Sequence, residues 1–214
     1  MAAEAASGLC LSQALTAAGG PTTNGKGPRT MNPALILIDI QNDYFPGGKM
    51  EVEGSVEAGL AARDVLSLFR RRRLPLVHIR HFSVRPGASF FLPETKGVEI
   101  HETVEPLAGE TVFPKNFPNA FRNTPLLEHL KGLEIDHVVV VGMMTHMCVD
   151  ATTRAAFDHG FGCTVVHDAC AARALTFGDE LIPAVHVHKA FLAALGSVYA
   201  RVVGAADLLR DFPR

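Results

Sequence analysis

Residues 138–148 read VVVVGMMTHMC, so four consecutive valines lead through a glycine-containing turn to a cysteine. A short run of β-branched apolar residues is typical of a strand that is buried on both faces of a parallel sheet. Two further segments have the same character, ALILIDIQND at residues 34–43 and TVFPKNF at residues 111–117. Together they indicate an α/β protein with polar side chains at or just beyond the ends of its strands.

The rest of the chain alternates between strand and helix patterns. Strands are predicted at residues 34–40, 76–80, 111–115, 137–142, 163–168 and 198–203. Helices are predicted at residues 55–72, 124–133, 148–159, 179–195 and 205–211, the fourth starting at Asp179 and stopping at Gly196. This alternation favours a parallel sheet covered by helices on both faces, although periodicity alone leaves the strand order open.

The length of 214 residues suits one α/β domain with a full core, which we expect to span residues 31–214. Residues 1–30 are rich in Ala, Gly, Ser and Thr and poor in large apolar side chains, so they are predicted to form a disordered extension. Organelle targeting stays open for this segment because Glu4 is its only acidic residue, but Arg29 is its only arginine.

Net charge and hydropathy argue against two classes of partner. The formal net charge is −2 and the pI is about 6.5, which gives no general attraction to nucleic acid or to anionic membranes. The four arginines at 70–73 fit the C-terminal turn of a helix, with a nucleic-acid patch as the alternative. No run reaches the roughly 18 apolar residues of a membrane span.

The four cysteines are Cys10, Cys148, Cys163 and Cys170, and they show neither CxxC spacing nor the framework of a secreted protein. Cys163 and Cys170 lie in or just after an apolar run and are interpreted as structural thiols. This usage favours a reducing compartment, so the expected location is cytoplasmic.

Asp39, Lys115 and Cys148 are the candidate catalytic residues. Residues that follow the carboxyl ends of parallel strands gather on one rim of the sheet, where ligands bind. Cys148 precedes a predicted helix, so the helix dipole and a nearby lysine would favour its thiolate, and Asp39 would be its base. Each residue also has a purely structural interpretation. Asp39 could cap a neighbouring loop, Lys115 could extend along the surface, and Cys148 could be a buried thiol in a turn.

The chain resembles the isochorismatase-like superfamily, in its cysteine-hydrolase branch, over roughly residues 33–204. The resemblance is carried by LIDIQNDYF at residues 37–45, KNFPNAF at residues 115–121 and GMMTHMCV at residues 142–149. The patterns Asp-x-Gln-x-Asp-x-Phe and Gly-x-x-Thr-x-x-Cys-Val, with a lysine between them, are specific in combination although neither is specific alone. Nicotinamidase-related and streptothricin-hydrolase-like members are the most similar in character.

The resemblance implies a three-layer α/β/α sandwich with a six-stranded parallel sheet of order 3-2-1-4-5-6. It implies Cys148 as the nucleophile, Asp39 as the general base and Lys115 as the thiolate partner. It also implies a non-proline cis peptide before Met144 and an oxyanion hole made by the backbone N–H groups of Met144 and Cys148. The presence of the cysteine implies hydrolysis of an amide, lactam, carbamoyl or ureido C–N bond through a thioester, with a small-molecule amide and water as the partners.

A metal site is not expected, and no cofactor is expected. Nicotinamidases of this superfamily carry a metal on an Asp-x-His motif after the second strand, whereas this chain has HIRHFS at residues 78–83. His78 and His81 are three apart at a strand end, which does not aim both rings at one point, although a metal there stays open. His186 and His188 are two apart on a predicted helix and cannot share a face.

Several aromatic residues and a few polar ones flank the proposed catalytic residues in sequence, and a pocket lined by such residues suits a small planar or cyclic amide. The residues predicted to bind the substrate are Gln41, Phe45, His81, Phe91, Phe121 and His146. Two alternatives to catalysis stay open, namely a silent binding protein with a remnant site and a redox-sensing thiol protein. The expected assembly is a homodimer or a homotetramer, because sheets of this kind commonly leave apolar faces for a second copy.

Overall fold

A computed structural model of the chain describes residues 31–212. Its central sheet has six parallel strands in the order β3-β2-β1-β4-β5-β8. These strands are β1 Pro33–Ile38, β2 Leu76–His81, β3 Thr111–Lys115, β4 His137–Met143, β5 Gly162–Ala171 and β8 Arg201–Val203. The expected α/β class and the order 3-2-1-4-5-6 are confirmed, since the sixth strand of the sheet is the eighth strand of the chain. Strands β6 Leu175–Phe177 and β7 Glu180–Ile182 form a separate antiparallel hairpin.

Helices cover both faces of the sheet. They are α1 Ser55–Arg72, α2 Leu126–Gly132, α3 Asp150–Asp158, α4 Ala184–Val198 and α5 Ala205–Asp211. Strand side chains alternate between the faces, so Leu35 and Leu37 of β1 pack in one apolar cluster with α1 and α5. Ile36 and Ile38 pack in a second cluster with α2, α3 and α4. Two cores on opposite faces of one sheet give the expected three layers.

The predicted helix from Asp179 to Gly196 is wrong at both ends. Asp179 lies in the turn between β6 and β7, where Gly178 adopts a left-handed φ of 59°. The helix begins at Ala184, directly after Pro183, whose fixed φ suits the start of a helix. It runs through Gly196 to Val198, so the predicted last strand begins at Arg201 rather than at residue 198.

Two further differences concern the loops near the rim. The helical segment that carries Cys148 starts earlier than predicted, as a π-helix over Thr145–Val149 that continues into α3. The long stretch at 81–110 contains two short 3-10 helices, Lys96–Val98 and Glu102–Val104.

The predicted disorder of residues 1–30 lies outside the described residues. Within residues 31–212, no helix combines the length and the apolar character that crossing a membrane requires.

Candidate active site

The ends of four neighbouring strands form the rim that carries the candidate catalytic residues. Ile38 of β1 pairs with Gly142 of β4 on one side and with Ile79 of β2 on the other. His81, the last residue of β2, pairs with Lys115, the last residue of β3. Asp39 follows Ile38 directly, so this register places the carboxylate between the end of β4 and the end of β2.

Lys115 is the centre of the site. Its ammonium nitrogen lies 2.7 Å from Oδ2 of Asp39 and 3.2 Å from the sulfur of Cys148. The same nitrogen lies 2.8 Å from Nδ1 of His81 and 3.0 Å from the carbonyl oxygen of Phe117. Asp39, Lys115 and Cys148 are exposed by only 0%, 2% and 4%. Three residues that are far apart in sequence therefore meet in one enclosed cluster.

The charges in this cluster balance. Burial alone would lower the pKa of Lys115, but the adjacent carboxylate of Asp39 and the sulfur of Cys148 outweigh burial and raise that pKa. Burial, with the positive charges of Lys115 and Arg85, lowers the pKa of His81 to about 4 although Asp39 acts in the opposite direction. At neutral pH the imidazole of His81 is therefore uncharged, and its Nδ1 can accept a hydrogen bond from the ammonium of Lys115.

Cys148 differs from its sequence-based expectation. Burial is the main influence on its thiol, and together with the carboxylate of Asp39 it raises the pKa well above the ordinary value, despite the opposing effect of Lys115. The expected lowering of this pKa is therefore wrong for the free protein, because the sequence pattern indicates the helix and the lysine but not the loss of solvent. The thiol keeps its proton at neutral pH until a base removes it.

Unusual backbone conformations position the segments that carry Asp39 and Cys148. Asp39 adopts a left-handed φ of 50°, its N–H donates to the carbonyl of Ile79, and its carbonyl accepts from the N–H of Gln41. Gly142 has a φ of 126°, and a Cβ atom there would lie 2.0 Å from the carbonyl oxygen of Ile38. Only glycine lets β4 approach β1 this closely. The peptide between Met143 and Met144 is cis, as the resemblance implies.

Gln41 holds backbone segments together rather than pointing a free amide into the cluster. Its Nε2 donates to the carbonyl oxygens of His81 and Val98, and its Oε1 accepts from the N–H of His81. The side chain is fully buried. Gln41 therefore fixes the end of β2 against the irregular stretch at 81–110, and thereby the position of the His81 ring.

His81 adjoins a group of three aromatic rings through Phe91. Phe91 lies with its ring centre 5.8 Å from that of His81 and 4.6 Å from that of Tyr44, and Phe90 packs 5.0 Å from Phe91. Sequence reasoning missed Tyr44, although it stands directly beside Phe45 in the segment that carries the resemblance. Burial and the nearby Cys148 and Asp39 raise the pKa of Tyr44 well above its ordinary value, so Tyr44 lies within electrostatic reach of the cluster.

The ring contacts of Phe45, Phe121 and His146 are with residues other than His81. Phe45 stacks on His101 at 3.5 Å between ring centres. Phe121 packs with its ring centre 5.1 Å from that of His159, in the cluster on the α2–α3 face. His146 is buried two residues before Cys148 and meets the ring of Phe191 edge-on at 6.0 Å.

A cavity of about 550 Å³ lies beside the irregular stretch. Its lining includes Asn42, Phe45, Phe90, Lys96 and His101, but none of Asp39, Lys115 and Cys148. This cavity and the catalytic cluster are thus two features of the same rim, with Phe90 and its ring neighbour Phe91 between the cavity lining and His81.

The side chains that could bind a metal ion also contact the ammonium of Lys115. Ligand atoms of Asp39, His81 and Cys148 lie within 4.8 Å of one another, but the ammonium of Lys115 contacts an atom of each of them. His78 points elsewhere, with its Nε2 3.0 Å from Glu110. His188 bonds to the hydroxyl of Thr145 at 2.8 Å. The ammonium of Lys115 therefore already contacts the three side chains that could together bind a metal ion.

Comparison with known proteins identifies relatives along the described domain. The model of the Isochorismatase domain matches residues 33–205. An uncharacterised isochorismatase family protein of Bacillus subtilis (strain 168), YddQ, is 51% identical over 80% of this chain and 96% of its own. The crystal structure of a protein assigned as an isochorismatase hydrolase, from Oleispira antarctica, superposes with a TM-score of 0.81 and 45% identity, covering 86% of this chain and 100% of its own.

Relatives with named activities are more distant. A streptothricin hydrolase of Streptomyces noursei is 31% identical over 81% of this chain and 69% of its own. Other matching relatives carry the names nicotinamidase, from Arabidopsis thaliana, and maleamate amidohydrolase, from Pseudomonas putida. The superfamily suggested by the three sequence segments is thereby confirmed.

Proposed function

This chain belongs to the isochorismatase family, and on that premise we propose that it hydrolyses the C–N bond of a small non-peptide amide through a thioester on Cys148. The observation that carries the proposal is the ammonium of Lys115 lying between the carboxylate of Asp39 and the sulfur of Cys148. A nucleophile and a base that both contact one cation, and whose reactive atoms lie within 4.8 Å of each other, are the parts that covalent catalysis requires. Amidases among its named relatives support the choice of bond.

The first half of the reaction uses the raised pKa of Cys148. As the sulfur attacks the amide carbonyl, Asp39 takes the thiol proton, so Cys148 does not have to be a thiolate before the substrate binds. The ammonium of Lys115 stabilises the negative charge that passes from Asp39 to the sulfur. The carbonyl oxygen becomes negative in the tetrahedral intermediate, and the backbone N–H groups of Met144 and Cys148 are proposed to hold it.

The second half returns the proton and admits water. Asp39 donates its proton to the leaving nitrogen as the C–N bond breaks, which leaves a thioester on Cys148 and an ionised carboxylate. Water then enters the place of the leaving group, and Asp39 removes a proton from it as the oxygen attacks the thioester. Collapse of the second intermediate returns the proton to sulfur and releases the acid, so the protein ends as it began.

Metal-independent catalysis is part of this proposal. The ammonium of Lys115 already supplies a positive charge at the three side chains that could bind a cation. A metal ion there would have to displace the ammonium from Asp39. We therefore expect activity to survive exhaustive dialysis against a chelator, with metal content verified by elemental analysis.

The site geometry favours hydrolysis over the two alternatives. A redox-sensing thiol is exposed and has a lowered pKa, whereas Cys148 is buried and its pKa is raised. A silent binding protein would not require a buried acid and lysine beside the sulfur, because even a paired buried ion pair is often no more stabilising than apolar side chains of similar volume.

Assembly and location also belong to the proposal. Phe177 and Leu181 of the β6–β7 hairpin are 80% and 65% exposed, which supports a homodimer or homotetramer that covers them. Cys148, Cys163 and Cys170 are all free, which supports a reducing cytoplasmic setting.

Ammonia release from a panel of small amides, carbamoyl compounds and ureido compounds tests the proposed function. Cys148→Ala is expected to abolish turnover, and Cys148→Ser to reduce it by orders of magnitude. Intact-protein mass spectrometry after rapid acid quench is expected to show an acyl adduct on the wild-type protein only. Cys163→Ala is the matched control, since that buried cysteine lies in β5, away from Lys115. Full turnover by Cys148→Ala would overturn the proposal.

A further inference from the structure

Arg173 lies at the same rim as the catalytic cluster. Strand β5 is adjacent to β4, and Ala171 at the end of β5 pairs with Met143 at the end of β4. Arg173 follows two residues later, where the chain leaves the sheet before the β6–β7 hairpin. The register therefore places Arg173 just beyond Met143, on the side of the site opposite to β2 and β3.

The guanidinium of Arg173 has no anionic partner within residues 31–212. Its polar contact among these residues is with the sulfur of Met50, 3.1 Å from Nη1. Met50 is in turn fixed to the segment that contains Tyr44, because its N–H donates to the carbonyl of Asp43. The arginine is thus held against the loop after β1 by an uncharged atom, while its donors stay available to solvent or to a ligand.

The positive charge of Arg173 acts on the groups around the nucleophile. It opposes burial at Tyr44 and acts with burial to lower the pKa of His146. Tyr44 also responds to the charges of Cys148 and Asp39. Tyr44 therefore lies within electrostatic reach of both the guanidinium and the nucleophile.

The charges within the catalytic cluster do not neutralise Arg173. Asp39 and Lys115 cancel each other, and His81 and the Cys148 thiol are neutral at pH 7. An exposed cation beside an electrically balanced site attracts an anion, and the planar fork of a guanidinium fits a carboxylate in a bidentate manner.

We propose that Arg173 binds a carboxylate of the substrate, so that the amide hydrolysed at Cys148 belongs to a small molecule that also carries an acid group. This inference rests on the proposed function and narrows its substrate class. Arg173 selects the substrate and orients it, while the bond-breaking steps stay with Asp39, Lys115 and Cys148. Because the guanidinium is exposed, the selection weakens as salt concentration rises.

Matched pairs of substrates test the inference. Ammonia release is measured with maleamate and succinamate, which are monoamides of dicarboxylic acids, and with their methyl esters, which lack the charge. Arg173→Gln is expected to raise KM for the charged amides by about tenfold to a hundredfold, as expected for the loss of a charge-assisted hydrogen bond. Its kcat/KM for the methyl esters is expected to stay within about twofold of the wild type, because they never used the guanidinium.

Two control variants sharpen the result. Arg201 begins β8 and pairs with Thr164 near the other end of β5, so Arg201→Gln is expected to change neither substrate series. Arg85 is a second cation near the cluster, since its charge acts on His81. If Arg85→Gln rather than Arg173→Gln removed the preference for charged amides, the assignment to Arg173 would be overturned.

A binding measurement separates this inference from the proposed function. Calorimetric titration of the wild-type protein with maleate and succinate, the dicarboxylate products, is expected to show binding that Arg173→Gln loses. Equal turnover of acids and methyl esters by the wild type would overturn the inference while leaving amide hydrolysis intact. Absence of turnover across the whole panel of amides, carbamoyl compounds and ureido compounds, with dicarboxylate binding preserved, would overturn the hydrolase proposal alone. Absence of both turnover and binding would overturn both proposals.

Discussion

The ammonium of Lys115 lies 2.7 Å from Oδ2 of Asp39, and both side chains are excluded from solvent. Two opposite charges in such a place stabilise the protein only as a pair, because each would be left uncompensated without the other. This mutual dependence makes the pair accessible to measurement by stability as well as by activity.

Removing one member of the pair should cost more than removing both. Lys115→Met leaves a buried carboxylate alone and is expected to lower the free energy of unfolding by about 3–5 kcal/mol. Asp39→Asn leaves a buried ammonium alone, and asparagine tolerates the left-handed φ of 50° at this position. The double variant is expected to be more stable than either single variant in urea unfolding. Strict additivity of the two single effects would contradict the coupling.

The thiol of Cys148 should react slowly in the free protein. Because burial and Asp39 raise its pKa, alkylation by iodoacetamide at pH 7–8 is expected to be slow at Cys148 and to accelerate at alkaline pH. Asp39→Asn removes a negative charge next to the sulfur and is expected to label faster than the wild type at the same pH. Peptide mass spectrometry measures each site separately, with Cys163, whose pKa burial raises to about 11, as the internal comparison. Rapid labelling of wild-type Cys148 at pH 7 would contradict the raised pKa.

The convergence of Asp39, Lys115 and Cys148 was predictable from sequence, because parallel strands present their carboxyl ends on one rim whatever the detailed packing. The rise in the pKa of the Cys148 thiol was not predictable, since it depends on how deeply the folded protein buries the sulfur. The β6–β7 hairpin was missed for a related reason. Its exposed Phe177 and Leu181 pack against no core, so nothing in their apolar pattern distinguishes a short hairpin from the start of a helix. Arg173 could not be recognised before the register of β4 and β5 was known.

His81 should make the fold sensitive to mild acid. Its pKa is lowered to about 4 in the folded protein, from about 6.5 in the unfolded chain. Between these values the unfolded chain binds the extra proton, so stability is full above pH 6.5 and falls as the pH drops towards 4. His81→Asn keeps an acceptor for Lys115 without this titration. Its stability is expected to fall less than that of the wild type across the window, by on the order of 3 kcal/mol. Parallel pH dependences of the two proteins would contradict this assignment.

Glu110 should respond to acid in a lower range. Burial alone would raise its pKa, but hydrogen bonds from Arg70, from the N–H of Leu107 and from His78 lower it to about 2. For a carboxylate with a depressed pKa, the stabilising effect is complete above about 4.5 and is lost as the pH falls through about 2. Glu110→Gln is therefore expected to be less stable than the wild type at pH 7 and nearly equal to it at pH 2. Chemical unfolding at both pH values measures the gap, with the exposed Glu128→Gln as the control.

Gly142 sets how closely the strand that leads to Cys148 approaches the strand that leads to Asp39. Its φ of 126° is unfavourable for a residue with a side chain, and a Cβ atom would lie 2.0 Å from the carbonyl of Ile38. Gly142→Ala must push β4 away from β1, so it is expected to destabilise the protein by about 2 kcal/mol or more. It should also lower turnover more than tenfold, because the sulfur then moves relative to the carboxylate.

Gly132→Ala is the matched control, since a Cβ there meets nothing within 4 Å. In a helix it is expected to stabilise by about 0.5–1 kcal/mol with turnover unchanged. Equal activity in the two alanine variants would show that the distance between the two strand ends does not govern the catalytic geometry.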